Sequence, residues 1–284
     1  MSDEFDFWKE FKSNKKGMIG LIIVLFFAVI AIFAPIISPY NPNTTNPALF
    51  LSPPSRLHYF GTDTLGQDLF SRDIYGAQIS LIVGISAGAV AIVIGLLAGL
   101  ISGYLGGAVD EVIMRIVDFF IVIPALVFMI IIAALLGPSL INVIMVIGLL
   151  SWAPTARIIR SMVLSIREWP FVESAKANNA GKIYIMFRHI FPNVTSVLYG
   201  NAMLAISAAI FTQAALVFLG VGNVTSISWG GIIRDAYTSG ALTAGDFSFI
   251  LPPGIFIFVL IFGFIMMGFA TEEIMNPRLR TIKG

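Results

Sequence analysis

The chain contains six mainly apolar runs, and each is close to the length that a helix needs to cross a membrane. A hydrocarbon core about 30 Å thick requires roughly 20 apolar residues in helical form. The runs cover, approximately, residues 18–37, 79–101, 113–136, 140–155, 197–219 and 249–270. The fourth run is short and reaches Pro154, a residue that we expect to kink or end the helix. We therefore predict an all-α membrane protein with six transmembrane helices.

The composition excludes several other classes of protein. Hydrophobic residues make up 57% of the chain and charged residues 12%, against roughly 25% charged residues in a soluble domain. We therefore exclude a soluble or disordered chain. The formal net charge of +1 gives no reason to expect nucleic acid as a partner. The chain contains no cysteine, which excludes disulfides and thiol nucleophiles. Its expected environment is membrane lipid.

The lysines and arginines are distributed unevenly among the segments that join the apolar runs. With the N-terminus placed in the cytoplasm, the 17 lysines and arginines divide into 14 on the cytoplasmic side and three outside, namely Arg56, Arg72 and Arg234. This bias predicts cytoplasmic N- and C-termini in a multi-pass protein of a prokaryotic plasma or inner membrane. Residues 39–78 and 220–248 then lie outside, and residues 157–195 lie inside.

No arrangement of residues in the sequence is typical of a catalytic site, so we predict that the chain is not an enzyme. His58 and His189 are its two histidines, and the predicted topology places them on opposite sides of the membrane. The sequence has neither a zinc-protease motif nor a phosphate-binding loop. We therefore expect no catalytic residue, metal site or cofactor on this chain.

Few polar residues interrupt the apolar runs. Asp118 lies in the third run, where a carboxylate has to face protein or water. We interpret Asp118 as the partner of Arg115, three residues earlier on the same helix face, and a proton or ion relay is the alternative. Asn201 and Gln213 lie in the fifth run, where they either hydrogen-bond between helices or line a transport pathway.

The cytoplasmic segment of residues 170–193 predicts a short helix, a sharp turn, a second amphipathic helix and a stop at Pro192. Asn179 and Gly181 both tolerate the positive φ angles of such a turn. The alternative is a basic amphipathic linker that lies on anionic lipid.

This segment also resembles the EAA loop of ABC-importer permeases, in which E-A-A is followed by a glycine and then by I-x-P. Here the three parts of the pattern are Glu173-Ser174-Ala175, Asn179 in the place of the glycine, and Ile190-Phe191-Pro192. The resemblance implies a coupling helix that sits in a cleft of an ATPase subunit. The residues that it places in contact with the ATPase are Glu173, Ser174, Ala175, Lys176, Asn179 and Gly181.

A second motif occupies residues 61–84, which read GTDTLGQDLFSRDIYGAQISLIVG. It resembles a motif of the C-type permease subunits that transport dipeptides, oligopeptides or nickel. The matching residues include Gly61, Thr62, Asp63, Gly66, Asp68, Ser71, Arg72, Tyr75 and Gly76. Gln67 and Gln78 replace two arginines of the family pattern. We expect residues 39–78 to form an ordered outer cap, with a short helix near residues 67–75, that packs on a partner permease or touches a solute-binding protein.

Further matches extend the resemblance over nearly the whole chain. They lie at residues 103–107, 109–110, 114–115, 218–222, 228–230 and 276–279. The resemblance implies the type I ABC importer permease fold with a cytoplasmic coupling helix. We divide the chain into residues 1–78, with the first transmembrane helix and the outer loop, and residues 79–284, with five helices and the EAA loop at about 167–195. Within residues 226–240 we expect a short amphipathic helix with Trp229 at the membrane interface.

The resemblance implies one permease subunit of an ATP-driven, binding-protein-dependent importer. Its implied partners are a homologous permease subunit that forms a heterodimer with it, two ATPase subunits that hold ATP and Mg, and an extracytoplasmic solute-binding protein. Short peptides are the expected substrate, and oligosaccharides, or else nickel or a metallophore, are the alternatives. A membrane-embedded enzyme would need a nucleophile and base, or clustered carboxylates, at depth. A channel or secondary transporter would show polar breaks or repeats near the midplane, and the sequence shows none of these features.

Overall fold

A computed structural model describes residues 7–222 and 226–275, and their regular structure is helical. In chain order the helices are α1 (Phe7–Ser13), α2 (Lys15–Ile32), α3 (Ala34–Ile37), α4 (Leu69–Leu105), α5 (Gly107–Val122), α6 (Ala125–Leu136), α7 (Leu140–Leu150), α8 (Ala153–Ile166), α9 (Pro170–Ala177), α10 (Lys182–Ile185), α11 (Phe191–Phe218), α12 (Trp229–Thr238) and α13 (Phe247–Met275). Within these ranges no β-strand occurs, and the prediction of an all-α protein is confirmed. The predicted motif at residues 276–279 and the basic residues Arg280 and Lys283 lie outside the described residues.

Five segments of the described chain are helices long and apolar enough to cross a membrane. They are Lys15–Ile32, Leu69–Leu105, Leu140–Ile166, Lys182–Phe218 and Phe247–Met275. Helices α5 and α6 make a sixth span only if they are taken together, since they are bent by 91° at their junction. A single straight helix through the third apolar run is therefore wrong. Ile123 adopts an extended conformation with ψ of 133°, because the ring of Pro124 disfavours helical backbone at the preceding residue.

Helix α4 is the longest in the described chain and runs for 37 residues without a break. It begins at Leu69, because the side chain of Asp68 accepts a hydrogen bond of 2.7 Å from the backbone N–H of Ser71 and caps the first turn. No proline interrupts the helix, and it ends at Gly106, whose φ is +67°. The separate short helix predicted near residues 67–75 is therefore wrong, since this stretch is the first part of α4.

Glycines let α4 pack closely against its neighbours α8 and α11. A Cβ atom added at Gly84 would lie 2.4 Å from a side-chain carbon of Ile210, and one added at Gly88 would lie 2.7 Å from Ile206. Towards the other end of α4, an added Cβ at Gly103 would lie 2.7 Å from Val163. Small residues at such contacts allow membrane helices to approach each other, which increases their van der Waals attraction. Helix α4 therefore forms the centre of the bundle.

Two prolines mark irregular positions in the spanning segments. The helix breaks at residues 151–152 between α7 and α8, directly before Pro154, which confirms the predicted kink. The predicted stop at Pro192 is wrong, since the helical segment continues from α10 into α11. A π-helical turn at Met186–Ile190 precedes this proline. Its wider hydrogen bonding displaces the carbonyl with which the proline ring would otherwise collide.

Candidate functional sites at the two ends of the helix bundle

The EAA-like loop (residues 167–195) presents a short helix on a buried anchor. Helix α9 begins after Trp169 with Pro170 in its first turn. A proline is tolerated there, because a backbone N–H in the first turn has no hydrogen-bond partner within the helix. Val172 is fully buried and belongs to an apolar cluster with Ile185 and Ile190. The loop is therefore held firmly against the bundle.

The side chains predicted to contact an ATPase point mainly away from this anchor. Glu173, Ser174, Lys176 and Asn179 are exposed. Ala175 is half-buried, because it packs against the same apolar cluster as Val172. Four of the predicted contact residues are therefore open to the outside, and Ala175 is turned partly towards the protein interior.

A tight turn follows α9 and uses one left-handed residue. Asn179 has φ of +55°, which confirms the predicted left-handed conformation at this position. Gly181 has φ of −62°, so its freedom to adopt positive φ is not used here. The N–H of Ala180 donates a hydrogen bond of 3.0 Å to the carbonyl of Ala175 and closes the turn.

Ion pairs join α5 to α8, the helix that leads into the EAA-like loop. Arg160 donates two hydrogen bonds to the carboxylate of Asp110, at 2.5 and 2.6 Å, and such paired contacts fix the orientation of the guanidinium. Arg157 pairs with Asp118. The predicted pairing of Asp118 with Arg115 is therefore wrong. Arg115 lies 4.0 Å from Glu111, one turn away on α5, while the half-exposed side chain of Asp118 reaches Arg157 of α8.

The cap (residues 38–68) at the opposite end of α4 is ordered by backbone hydrogen bonds. The N–H of Leu51 donates to the carbonyl of Asp63 at 3.1 Å, and that of Asn46 donates to the carbonyl of Leu65 at 3.0 Å. Gly66 has φ of +71°, and an added Cβ there would lie 1.9 Å from the backbone oxygen of Asn46. The motif glycine is thus required by both conformation and space.

Arg72 joins the cap to α12. Its guanidinium donates to the side chains of Asp63 and Gln67 in the cap, and its Nη2 donates to Oδ2 of Asp235 at 3.1 Å. Arg72 and Asp63 are largely buried, whereas Asp235 is about one-third exposed. Burial raises the pKa of the Asp235 carboxyl, and the positive charges of Arg72 and Arg234 oppose that rise. Asp235 could not be predicted as a partner of Arg72 from spacing in the sequence, because the two residues meet only in the folded chain.

Asp68 is at the centre of a second set of polar contacts in the cap. Its Oδ1 lies 2.9 Å from Nδ1 of His58, and its Oδ2 accepts a hydrogen bond of 2.6 Å from the hydroxyl of Ser71. The rings of Tyr40 and His58 stack at 4.8 Å. Asp68 thus ties the cap to the start of α4, and its partners are His58 and Ser71 rather than Arg72 one turn along. His58 and Tyr40 were not among the predicted site residues.

Trp229 occupies a place inside the bundle that the sequence did not predict. Helix α12 confirms the expected short amphipathic helix, but Trp229 is fully buried and does not lie at an interface. Its indole N–H donates a hydrogen bond of 2.9 Å to the carbonyl of Asp73. Gly76 makes room for the indole, since an added Cβ there would lie 2.7 Å from the ring. The motif residue Tyr75 directly precedes Gly76 in α4 and is half-buried.

The polar residues of α11 have different surroundings. The side-chain amide of Asn201 donates a hydrogen bond of 2.9 Å to the hydroxyl of Thr155 on α8, which confirms a contact between helices. Gln213 is buried, and its Oε1 has no hydrogen-bond partner among the described residues. Across the described ranges, no group of three or more His, Asp or Glu side chains could hold a metal ion.

Comparison with known proteins identifies the family. The family model for the binding-protein-dependent transport system inner membrane component matches residues 91–281, and that for the N-terminal transmembrane domain of oligopeptide transport permease C matches residues 5–54.

Full-length relatives agree with these matches. The oligopeptide transport system permease protein OppC of Bacillus subtilis is 37% identical, over 96% of this chain and 90% of its own length. The dipeptide transport system permease protein DppC of Alkalihalophilus pseudofirmus is 37% identical, over the same shares. OppC of Escherichia coli is 35% identical, also over 96% and 90%. With a family model and relatives that cover most of its length, the chain belongs to the inner membrane components of binding-protein-dependent transport systems.

Proposed function

We propose that the chain is one permease subunit of an ATP-driven importer of short peptides. Relatives of this length that carry oligopeptide or dipeptide names support the peptide class. A homologous permease subunit, two ATPase subunits and an extracytoplasmic solute-binding protein complete the transporter. ATP and Mg belong to the ATPase subunits, and this chain forms half of the translocation pathway without performing chemistry itself.

The exposed surface of α9 carries this proposal. Glu173, Ser174 and Lys176 are open to a partner, while the buried Val172 fixes the helix to the bundle. A helix held in this way transmits a push from a partner to the membrane segments, since packed interiors resist compression. We place this surface in the cytoplasm, against an ATPase subunit, in agreement with the distribution of basic residues.

The cap forms the outer counterpart of this surface. Arg72 and Asp68 attach it to α4 and α12, so a protein that docks on the cap acts on the start of α4. We propose that the loaded solute-binding protein or the partner permease contacts residues 61–76 from this side. Gln213 is the described polar residue that we assign to the pathway, because its buried oxygen is unpaired.

The experiment is reconstitution of the chain with its partner permease, ATPase subunits and solute-binding protein. Proteoliposomes should take up a labelled dipeptide or oligopeptide only when ATP and the binding protein are present. Matched assays with an oligosaccharide and with nickel test the alternative substrates. ATP-dependent uptake of one of these without peptide uptake would replace the substrate. Failure of the ATPase subunits to copurify with the chain would contradict the proposed subunit role.

A further inference from the structure

An apolar cavity of about 390 Å³ lies between the N-terminal helix α1 and the ends of three long helices. Phe7, Trp8 and Phe11 of α1 line one side, and Met203 of α11 and Met267 of α13 contribute to the other. Trp8 is 61% exposed, so the cavity is reached from the surface of the protein. Aromatic and thioether side chains of this kind favour an apolar ligand.

The cavity is fixed by the packing of α1. Phe11 is buried against Ala270 and Ile274 of α13. An added Cβ at Gly17, at the start of α2, would lie 2.9 Å from Ala270 and 3.0 Å from the ring of Phe11. The side-chain oxygen of Asn14 accepts a hydrogen bond of 3.1 Å from the N–H of Gly17 and caps α2. Helix α1 is therefore packed against α13 and the start of α2, beside the cavity.

Three lysines lie on α1 and α2, the two helices that line this side of the cavity. Lys12 follows the buried Phe11, and Lys15 and Lys16 form the first turn of α2, which carries no acidic residue. All three are exposed and form no ion pair in the described part of the chain. The neighbouring carboxylate of Glu273 accepts a hydrogen bond of 3.4 Å from Asn14. Positive charge thus lies next to an apolar cavity.

We propose that this cavity binds an acyl chain of an anionic phospholipid, whose phosphate lies against Lys12, Lys15 and Lys16. The surrounding bilayer supplies such a ligand to a membrane-spanning chain. Its apolar chain matches the aromatic and methionine lining, and its anionic headgroup matches the three lysines. Helix α1 then lies in the membrane interface with its apolar side inward, and the lipid fastens it to α2, α11 and α13. This site is independent of the peptide that the transporter carries.

Fluorescence quenching of Trp8 tests the site in the full-length chain. The chain is placed in nanodiscs of ordinary phosphatidylcholine. One series of nanodiscs also contains phosphatidylglycerol with brominated acyl chains, and the other contains phosphatidylcholine with brominated acyl chains. The signal of Trp8 is the difference between the wild type and Trp8→Phe. We expect brominated phosphatidylglycerol to quench this signal at about fivefold lower mole fraction than brominated phosphatidylcholine. Equal quenching by the two lipids would overturn the proposal.

Two variants and a control separate the charge from the cavity. The triple variant Lys12→Gln, Lys15→Gln, Lys16→Gln should lose the preference for phosphatidylglycerol while quenching by brominated phosphatidylcholine persists, which shows that α1 is in place. The matched control, Lys182→Gln with Arg188→Gln on another segment, should keep the preference. Met203→Phe fills the cavity and should weaken quenching by phosphatidylglycerol. A preference that survives the triple variant, or quenching unchanged in Met203→Phe, would contradict the site.

Discussion

Arg72 on α4 and Asp235 on α12 lie 163 positions apart in the sequence, and their side chains are joined by a hydrogen bond of 3.1 Å. The same guanidinium also holds Asp63 of the cap. Two separate elements, the cap and α12, therefore depend on one cation for their position. Removal of this cation leaves Asp63 with its hydrogen bonds from the backbone N–H groups of Leu65 and Gln67 and Asp235 with Arg234 at 4.0 Å. Loss of one member of a buried pair is the costly way to break it.

We expect Arg72→Ala to destabilise the protein, by up to about 3–5 kcal/mol if the pair with Asp63 behaves as a fully buried one. Arg72→Lys should retain part of the stability, since an ammonium keeps the charge but lacks the planar set of donors. Thermal unfolding of the purified chain in detergent measures both. In the double variant Arg72→Ala, Asp235→Asn the two effects should be less than additive, and strict additivity would show that the two residues are not coupled.

The raised pKa of Asp235 predicts a dependence of stability on pH. A carboxyl with a higher pKa in the folded than in the unfolded state favours folding at low pH. That contribution is lost as the pH rises from the unfolded value, near 3.8, through the folded value. The stability of the wild type relative to Asp235→Asn should therefore fall over this range. Denaturation of both proteins at a series of pH values measures it, and a constant difference would contradict the shift.

A bulky residue on the exposed side of α9 tests the contact with the ATPase. Ser174→Trp is a more specific test of this contact than Ala175→Trp, because Ala175 packs partly against the interior of the loop. Overpacking of a fitted contact costs about 1–3 kcal/mol, so ATP hydrolysis stimulated by the loaded binding protein should fall together with transport. Leu135→Trp, at an exposed position of α6, is the control. Unchanged activity of an assembled Ser174→Trp complex would show that α9 is not the coupling element.

Close packing of α12 on α11 depends on Gly230. An added Cβ there would lie 2.3 Å from the backbone oxygen of Ala214, and a backbone atom cannot rotate away. Gly230→Ala should therefore lower the free energy of unfolding by about 1–3 kcal/mol or more. Gly254→Ala in α13 is the matched control, since an added Cβ meets no described atom within 4 Å and alanine favours a helix by up to about 1 kcal/mol. Equal melting temperatures of the two variants would contradict the contact.

The distribution of basic residues predicts the orientation of the chain. Reporter fusions after Pro39 and after Gly240 should be located outside, and fusions after Lys176 and after Lys283 should be cytoplasmic. Accessibility to a membrane-impermeant reagent in intact cells measures each position. A cytoplasmic reporter at Ser71 would contradict the orientation, because it would place the cap on the same side as the EAA-like loop.

The apolar runs were sufficient to predict most spanning segments, since the length needed to cross a bilayer is a local property. They failed where a single residue overrides the average hydropathy. Pro124 lies within the third run, but the mean hydropathy of residues 113–136 does not reveal the bend that this proline causes. The start of α4 was predicted ten residues too late, because Asp68 caps a helix whose first ten residues include Arg72 and Asp73, which interrupt the apolar run.

The candidate sites were predictable to the extent that they are continuous in the chain. The helix of the EAA-like loop and the turn at Asn179 follow from a contiguous pattern. By contrast, the pairing of Asp118 with Arg157 and the burial of Trp229 depend on which helices pack together. Helix spacing favoured a partner within α5 for Asp118, and the tertiary contact with α8 prevailed.

The unbroken course of α4 has a mechanical consequence. Its first turns are joined to the cap by Asp68 and Arg72, and its last turns pack on α8 through Gly99 and Gly103. A helix of 37 residues extends for about 55 Å and contains no proline at which to hinge. It therefore behaves as a stiff strut between the two faces of the membrane. Spin labels at its two ends should therefore keep a constant separation during turnover, and a changing separation would contradict this stiffness.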